Sequence, residues 1–203
     1  MKKEIRNKSA SLQGLRIMPL TPGRWDDLVR LFGERGACAG CWCMWWRLKR
    51  SIWSAQKGEG NKRALKALVE QGKRPGLLAY LGKTPIGWCA VAPREEYIAL
   101  EKSRILKRVD DLPVWSVVCF FIARPYRRLG VTSALLKAAV ELAARNGAVA
   151  VEGYPTDPKS NQPDVFVFTG LLSAFRKAGF REVARRSPGR PIMRYLIETP
   201  GKK

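Results

Sequence analysis

The chain has 203 residues, 46% of them apolar, with 38 Lys and Arg against 17 Asp and Glu, a formal charge of +21. That length and apolar content suffice to bury a core and favour one compact domain, read as 15–203 behind a basic tail at 1–14. The charge exceeds what a fold requires and points to anionic company: nucleic acid, an anionic membrane surface or a polyphosphate cofactor, without ranking them. The opening MKKEIRNKSASLQG lacks the apolar run of a signal peptide. The longest apolar stretch, residues 114–123, is half of the roughly 20 needed to span a bilayer, so a soluble cytoplasmic protein with no membrane partner is expected. Five cysteines, no histidine and a single CxxC within CAGCWC (Cys38, Cys41, Cys43) argue for reduced, buried thiols and against a metal site.

In chain order, RIMPL (16–20) reads as a short strand, and Thr21-Pro22 as the start of a helix from about Pro22 to Glu34. Its apolar residues Trp25, Leu28, Val29 and Phe32 recur at one-face spacing, and Gly33 and Gly36 end it. The stretch ACAGCWCMWWR (37–47) has neither period; its dense aromatics read as a core plug or as one wall of an acceptor pocket. A second helix covers Asn61 to Glu70. GLLAYL, GKTP and IGWCAVAP then form a hairpin, and residues 93–113 are polar and helical in their first half. VWSVVCFFIA (114–123), β-branched and aromatic with little alternation, predicts a strand covered on both faces. Leu129 to Asn146 has helical spacing and stops at Asn146-Gly147. A strand at 148–154, a loop, a helix from Thr169 to Ala178 and two closing strands joined by PGRP complete the chain.

The most informative stretch is RPYRRLGVTSALL (124–136), where a covered strand passes through a short basic loop directly into a helix. A helix N-terminus offers unpaired N–H groups and the positive end of the macrodipole to an anion. Arg127 and Arg128 add charge, Gly130 permits close backbone approach, and Thr132 and Ser133 offer hydroxyls. The same residues also describe an ordinary strand-to-helix turn with solvated arginines. No GxxxxGK[ST] or GxGxxG occurs, which counts against nucleoside triphosphates and dinucleotides.

Arg127-Arg128-Leu129-Gly130-Val131-Thr132 resembles the acetyl-CoA signature [RQ]-x-x-G-x-[GA] of the GNAT N-acetyltransferase superfamily, departing from it at Thr132. CFFIARPY before it, ALLKAAVELAARNGA after it and FRKAGF further on fall in the family's order. The resemblance implies an α+β fold with a central, mixed, mostly antiparallel splayed sheet flanked by helices, and acetyl-CoA held between the 114–123 strand and the strand starting at Ala148. It implies that the pantetheine arm pairs with backbone near Phe120, Phe121 and Ile122. The pyrophosphate would rest on Arg127, Arg128, Leu129, Gly130, Val131, Thr132 and Ser133, with Phe175 beside the cofactor.

In that chemistry a lysine-like amine with a pKa of about 10.4 must lose its proton before it attacks a thioester. An oxyanion needs a placed donor, which the resemblance assigns to a backbone N–H near Phe120 to Ile122, and the leaving thiolate needs a proton. The family's usual acid is a late-helix tyrosine, and Phe175 stands there; the histone-acetylating branch uses a strand glutamate as base, and Ser116 stands there. The remaining base candidates are Glu95, Glu96, Glu101, Asp110, Asp111 and Glu152, and the acid candidates Tyr126, Tyr154 and Cys119. Ser116, Glu101, Tyr154 and Cys119 are carried forward as the catalytic set.

For the acceptor, Trp42, Trp45, Trp46, Trp88 and Trp115 read either as core or as a pocket for a flat or cationic amine. The +21 charge disfavours polycationic acceptors. The first reading is therefore an acetyl-CoA-dependent N-acetyltransferase acting on an unidentified primary amine, as a monomer or homodimer. The alternative, prompted by Ser116 and Phe175, is a CoA-binding or catalytically degenerate module that engages nucleic acid or ribosomes through its basic surface.

Overall fold

The computed structural model describes residues 12–157 and 167–198. Seven strands form one sheet: β1 (Leu15–Pro19), β2 (Gly76–Leu81), β3 (Thr84–Pro93), β4 (Val114–Ile122), β5 (Ala150–Gly153), β6 (Arg181–Arg185) and β7 (Pro191–Leu196). Their order is β1-β2-β3-β4-β5-β7-β6, antiparallel throughout except that β4 and β5 run parallel. This is the mixed, mostly antiparallel sheet the resemblance implied. The helices are α1 (Trp25–Phe32), α2 (Arg50–Ala55), α3 (Glu59–Glu70), α4 (Ile98–Glu101), α5 (Val131–Arg145) and α6 (Leu172–Lys177).

Each sheet face is covered by a different set of elements, as a strand apolar on both sides requires. One core lies on the α1 side, where Leu28 and Phe32 meet Leu78, Trp88, Ala90 and Val118. The other lies under α5 and α6, where Leu135, Leu136, Ala139 and Phe175 meet Val91, Val117, Phe120 and Met193. The stripe read from α1 is real: Trp25, Leu28 and Phe32 are buried, with Asp26 and Asp27 in the first turn and Arg30 in the last, the charge order the macrodipole favours.

One segment follows the sequence reading in broken form and one departs from it. The helical first half expected of 93–113 is present as a 3-10 turn at Arg94–Glu96 and the four-residue α4. Buried Arg94 donates from Nη2 to the Leu106 carbonyl at 2.8 Å, and Leu106 N–H donates to Ser103 Oγ, so side-chain bonds hold the irregular second half of the stretch. The 37–47 stretch coils tightly, with Ala37, Ala39, Trp42 and Cys43 at positive φ, and leads into α2, a helix the pattern did not reveal. Gly36 is required there: a Cβ on it would lie 2.2 Å from Trp42 Nε1, and its own φ is +59°. Among the described residues no helix is long and apolar enough to cross a membrane.

Gly153, the last residue of β5, packs against the ring of fully buried Phe175, 2.1 Å from where a Cβ would stand. Gly153→Ala is expected to destabilise the fold by about 1–3 kcal/mol through overpacking, read as a lower urea midpoint at unchanged m-value.

Candidate active site

The parallel pairing of β4 with β5 is short: it runs from Val114 opposite Ala150 to Val117 opposite Gly153. β4 continues to Ile122, and opposite β3 it carries a bulge, since Ala90 pairs with Cys119 and Val91 with Val117, leaving Val118 unpaired. A bulge sharpens local twist, and here it lies where β4 leaves β5. Past the bulge the Ala123 N–H bonds to Ile86 of the adjoining β3 chain, so backbone alternation turns the polar groups of Phe120 and Ile122 away from β3, into the wedge. There the Phe120 N–H donates to the Phe168 carbonyl at 2.6 Å. The chain after β5 closes the wedge from the other side: Thr156 N–H bonds to Gly170 O and Leu172 N–H to Thr156 O.

The open end of β4 leads through a 3-10 turn at Arg124–Tyr126 into α5. Arg128 (φ +64°) and Gly130 (φ +88°) both adopt left-handed conformations, which turn the chain sharply into the helix. A side chain at position 130 would be strained in that conformation, although the space around it is open apart from Leu12 at 3.8 Å. The first amides of α5 have no carbonyl one turn earlier to bond. Ser133 does not offer its hydroxyl to this surface: it is buried and donates to Ala174 O of α6 at 3.2 Å. Arg127 Nε donates to the Ile122 carbonyl at 3.1 Å, bracing the turn against the strand.

Of the catalytic candidates, Ser116, Tyr154 and Glu101 come together around a buried arginine. Tyr154 OH lies 2.8 Å from Ser116 Oγ, donates to Glu152 Oε2 at 3.1 Å, and accepts from Arg94 Nη1 at 2.6 Å. Arg94 Nε donates to Glu101 Oε1 at 2.8 Å, and Arg108 bridges Glu101 and Glu95. Glu152 also receives Arg194 Nη2 at 2.6 Å, and Arg194 pairs with Asp110. Burial and the Glu152 charge push the Tyr154 hydroxyl well above the ordinary tyrosine range, against the pull of Arg94. Arg194 holds Asp110 below the usual carboxylate range, and Arg108 does the same for Glu95. Cys119 stands apart from this cluster. Its sulfur is 3.2 Å from that of Cys43, which also accepts the Trp88 indole N–H, and the Cys43 thiol together with burial raises the Cys119 pKa.

The five tryptophans do not converge. Trp42, Trp46 and Trp88 are buried on the α1 side, Trp42 stacked 6.1 Å from Trp25 and Trp88 edge-on to Phe32, whereas Trp115 packs on the opposite face with the α5 core. Two of the indole faces already hold a cation from the chain: Arg50 lies 3.7 Å over Trp45 and Lys62 5.4 Å over Trp42. Trp46 remains closest to the wedge, 6.5 Å from the Phe168 ring.

Arg94, Arg194 and Phe168 were absent from the sequence reading. Arg194 had a signal: Glu152 and Arg194 are lone charges inside apolar strands, and they prove to be cross-strand partners in β5 and β7. Phe168 had none, because its role rests on a main-chain carbonyl.

A strand that parts from its parallel neighbour at a bulge and feeds a left-handed glycine turn and a helix N-terminus defines an acyltransferase-type fold of the kind the sequence resembled. The profile of the Acetyltransferase (GNAT) family matches residues 42–167, more than half of the chain, and the protein belongs to that family. Among solved structures, the chain is similar to a GNAT acetyltransferase from Streptococcus agalactiae (TM-score 0.55, 15% identity, 92% of this chain and 98% of that one). It is also similar to the PaiA N-acetyltransferase of Thermoplasma acidophilum, solved in complex with coenzyme A (0.52, 16%, 90% and 99%). A third is a putative arylalkylamine N-acetyltransferase 7 of Aedes aegypti (0.53, 11%, 91% and 88%). At these identities the likeness concerns the fold. No curated protein matches the chain significantly in sequence.

Two outcomes follow from the buried cluster. Arg94→Met leaves the Tyr154 hydroxyl and the Leu106 carbonyl without their donor and should cost about 3–5 kcal/mol in denaturant titration. Tyr154 and Tyr97 both have raised pKa values, Tyr97 chiefly through burial, so the stability they contribute is complete below about pH 10 and is lost as pH rises beyond it. Urea midpoints should therefore fall steeply above that pH, and Tyr154→Phe should flatten the fall.

Proposed function

We propose that the protein is an acetyl-CoA-dependent N-acetyltransferase that passes an acetyl group to a primary amine by direct attack. The observation that carries this reading is the continuity of the β4 wedge with the Arg127–Thr132 turn, which places strand-like backbone groups and helix-terminal amides in one line. Family membership supports acyl transfer, and the coenzyme A bound by the Thermoplasma acidophilum protein supports the donor.

The residues fit such a ligand. Successive amides at a turn containing left-handed residues form a concave anion seat, suited to a diphosphate at Arg128 to Ser133. An amide-bearing arm extended along β4 would meet the outward backbone groups of Phe120 and Ile122 as an added strand does. The Phe168 carbonyl holds the Phe120 amide in the present conformation, so an acyl oxygen bonding there must displace it. Bound acetyl-CoA supplies the activated thioester.

Within the chain, the Phe120 N–H is assigned to the developing negative oxygen. Tyr154 and Cys119 keep their protons at neutral pH, so the Tyr154–Ser116 pair and the Cys119 thiol are assigned as donors rather than bases. Glu95, Glu96, Glu101, Asp110 and Glu152 are each already engaged by an arginine within the fold, and Asp111 is exposed. The acceptor's proton is assigned to water.

Acetyl-CoA or CoA at about a hundred times its dissociation constant should stabilise the fold by about 2.7 kcal/mol, visible as a raised melting temperature. Gly130→Val, which forces a branched side chain into a left-handed turn, should abolish that shift while the unliganded variant still unfolds cooperatively. No shift at millimolar ligand, together with no thiol release from acetyl-CoA with any amine, would overturn the reading.

A further inference from the structure

Each buried arginine among the described residues has a carboxylate: Arg47 pairs with Glu96, Arg94 with Glu101 and Glu152, and Arg194 with Asp110 and Glu152. Arg190, half-buried, is different. Its Nη1 donates to two threonine hydroxyls, Thr156 Oγ1 and Thr169 Oγ1, each at 2.9 Å, and among the described residues no carboxylate pairs with it. Asp157, which follows Thr156 in the chain, is held by Arg185, as is Glu182. Burial lowers the pKa of Arg190 and nothing opposes that shift, the mark of a cation removed from water without a counter-ion. Two hydroxyls satisfy one nitrogen but leave the charge uncompensated.

Its location gives that charge a use. Arg190 immediately precedes β7, which runs antiparallel to β5, so it stands at the end of the sheet where β5 stops and the wedge opens. Thr156 belongs to the chain leaving β5. Thr169 follows Phe168, whose carbonyl occupies the Phe120 amide. The guanidinium is thus held one residue along the chain from the group that caps the proposed oxyanion donor. With Nη1 committed, the Nε–Nη2 edge remains, the edge that receives a carboxylate through two parallel hydrogen bonds.

We propose that Arg190 is the anion-recognition residue of the acceptor site, and that the acceptor is an amine that also carries a carboxylate. The proposal rests on the N-acetyltransfer reading and deepens it by naming a substrate class. It also suits the +21 chain, whose field attracts an anionic acceptor and repels a polycationic one.

The test compares matched amines on the full chain: α-amino acids against their carboxamides, and ω-amino acids against alkylamines of equal length, with an amine phosphate as a separate arm. Wild type should prefer the carboxylate member in kcat/KM by roughly tenfold to a hundredfold, the range of a charge-assisted hydrogen bond. Arg190→Gln should erase that preference while leaving the neutral amines and the CoA-induced melting shift unchanged; Arg190→Lys should restore part of it. The same pairs are also scored by the melting shift they give the CoA-loaded protein, where only carboxylate members should stabilise wild type. This second readout decides the proposal even if no amine is turned over, an outcome that would count against acetyl transfer alone. Equal treatment of both members by wild type overturns it, as does an equal loss for both in Arg190→Gln, which marks a structural clamp. Preference for the amine phosphate over the carboxylates overturns the carboxylate assignment.

Discussion

The parallel pairing between β4 and β5 ends after four residue pairs, and the rest of the site depends on that early end. Had the two strands stayed in register to the end of β4, Phe120 and Ile122 would have spent their polar groups on β5, and α5 would begin beside a closed sheet. The bulge at Val118 and the brevity of β5 prevent this. A parted pair of strands must satisfy its exposed backbone, because unpaired N–H and C=O groups away from water are costly. The chain meets that demand for Phe120 with its own Phe168 carbonyl, a contact that stabilises the free protein and competes with any ligand seeking the same amide.

The seam beside Ser116 and Tyr154 is held by charge rather than by hydrocarbon alone. Arg94, Glu152, Arg194, Tyr154 and Ser116 are all buried, and their hydrogen bonds join β4, β5, β7 and the loop after β3. Desolvating such groups offsets much of their mutual attraction, so their net contribution to stability is small, while loss of one member strands the others. What the cluster provides is position: Tyr154 is fixed beside Ser116 with its proton retained. The tryptophans take the complementary part. Trp42, Trp46 and Trp88 fill the α1-side core, and Trp42 and Trp45 carry the chain's own cations on their faces.

Arg190 follows a different rule from the arginines of this cluster. Their carboxylates are built into the fold; its two partners are neutral hydroxyls at the mouth of the wedge. Among the described residues, counter-ions are supplied to the buried arginines and none to Arg190, which leaves a place for a charge brought by something else.

The sequence by itself determined the order of elements, the strand covered on both faces, the glycine turn into α5 and, through the Arg127–Thr132 signature, the family. These are local matters: spacing of apolar residues, caps, and the φ freedom of one glycine decide them within a few positions. The same locality explains the miss at α2, where a coil of left-handed residues overrode local preference. Only the tertiary structure decided which charges meet. Glu152 and Arg194, 42 positions apart, are set face to face by strand register, and Ser116 and Tyr154, 38 apart, meet where the chain leaves β5. It also decided that Trp115 lies across the sheet from Trp46, and that Phe168 offers a carbonyl to Phe120. Main-chain contacts of that kind depend on where two segments cross, which no side-chain pattern records.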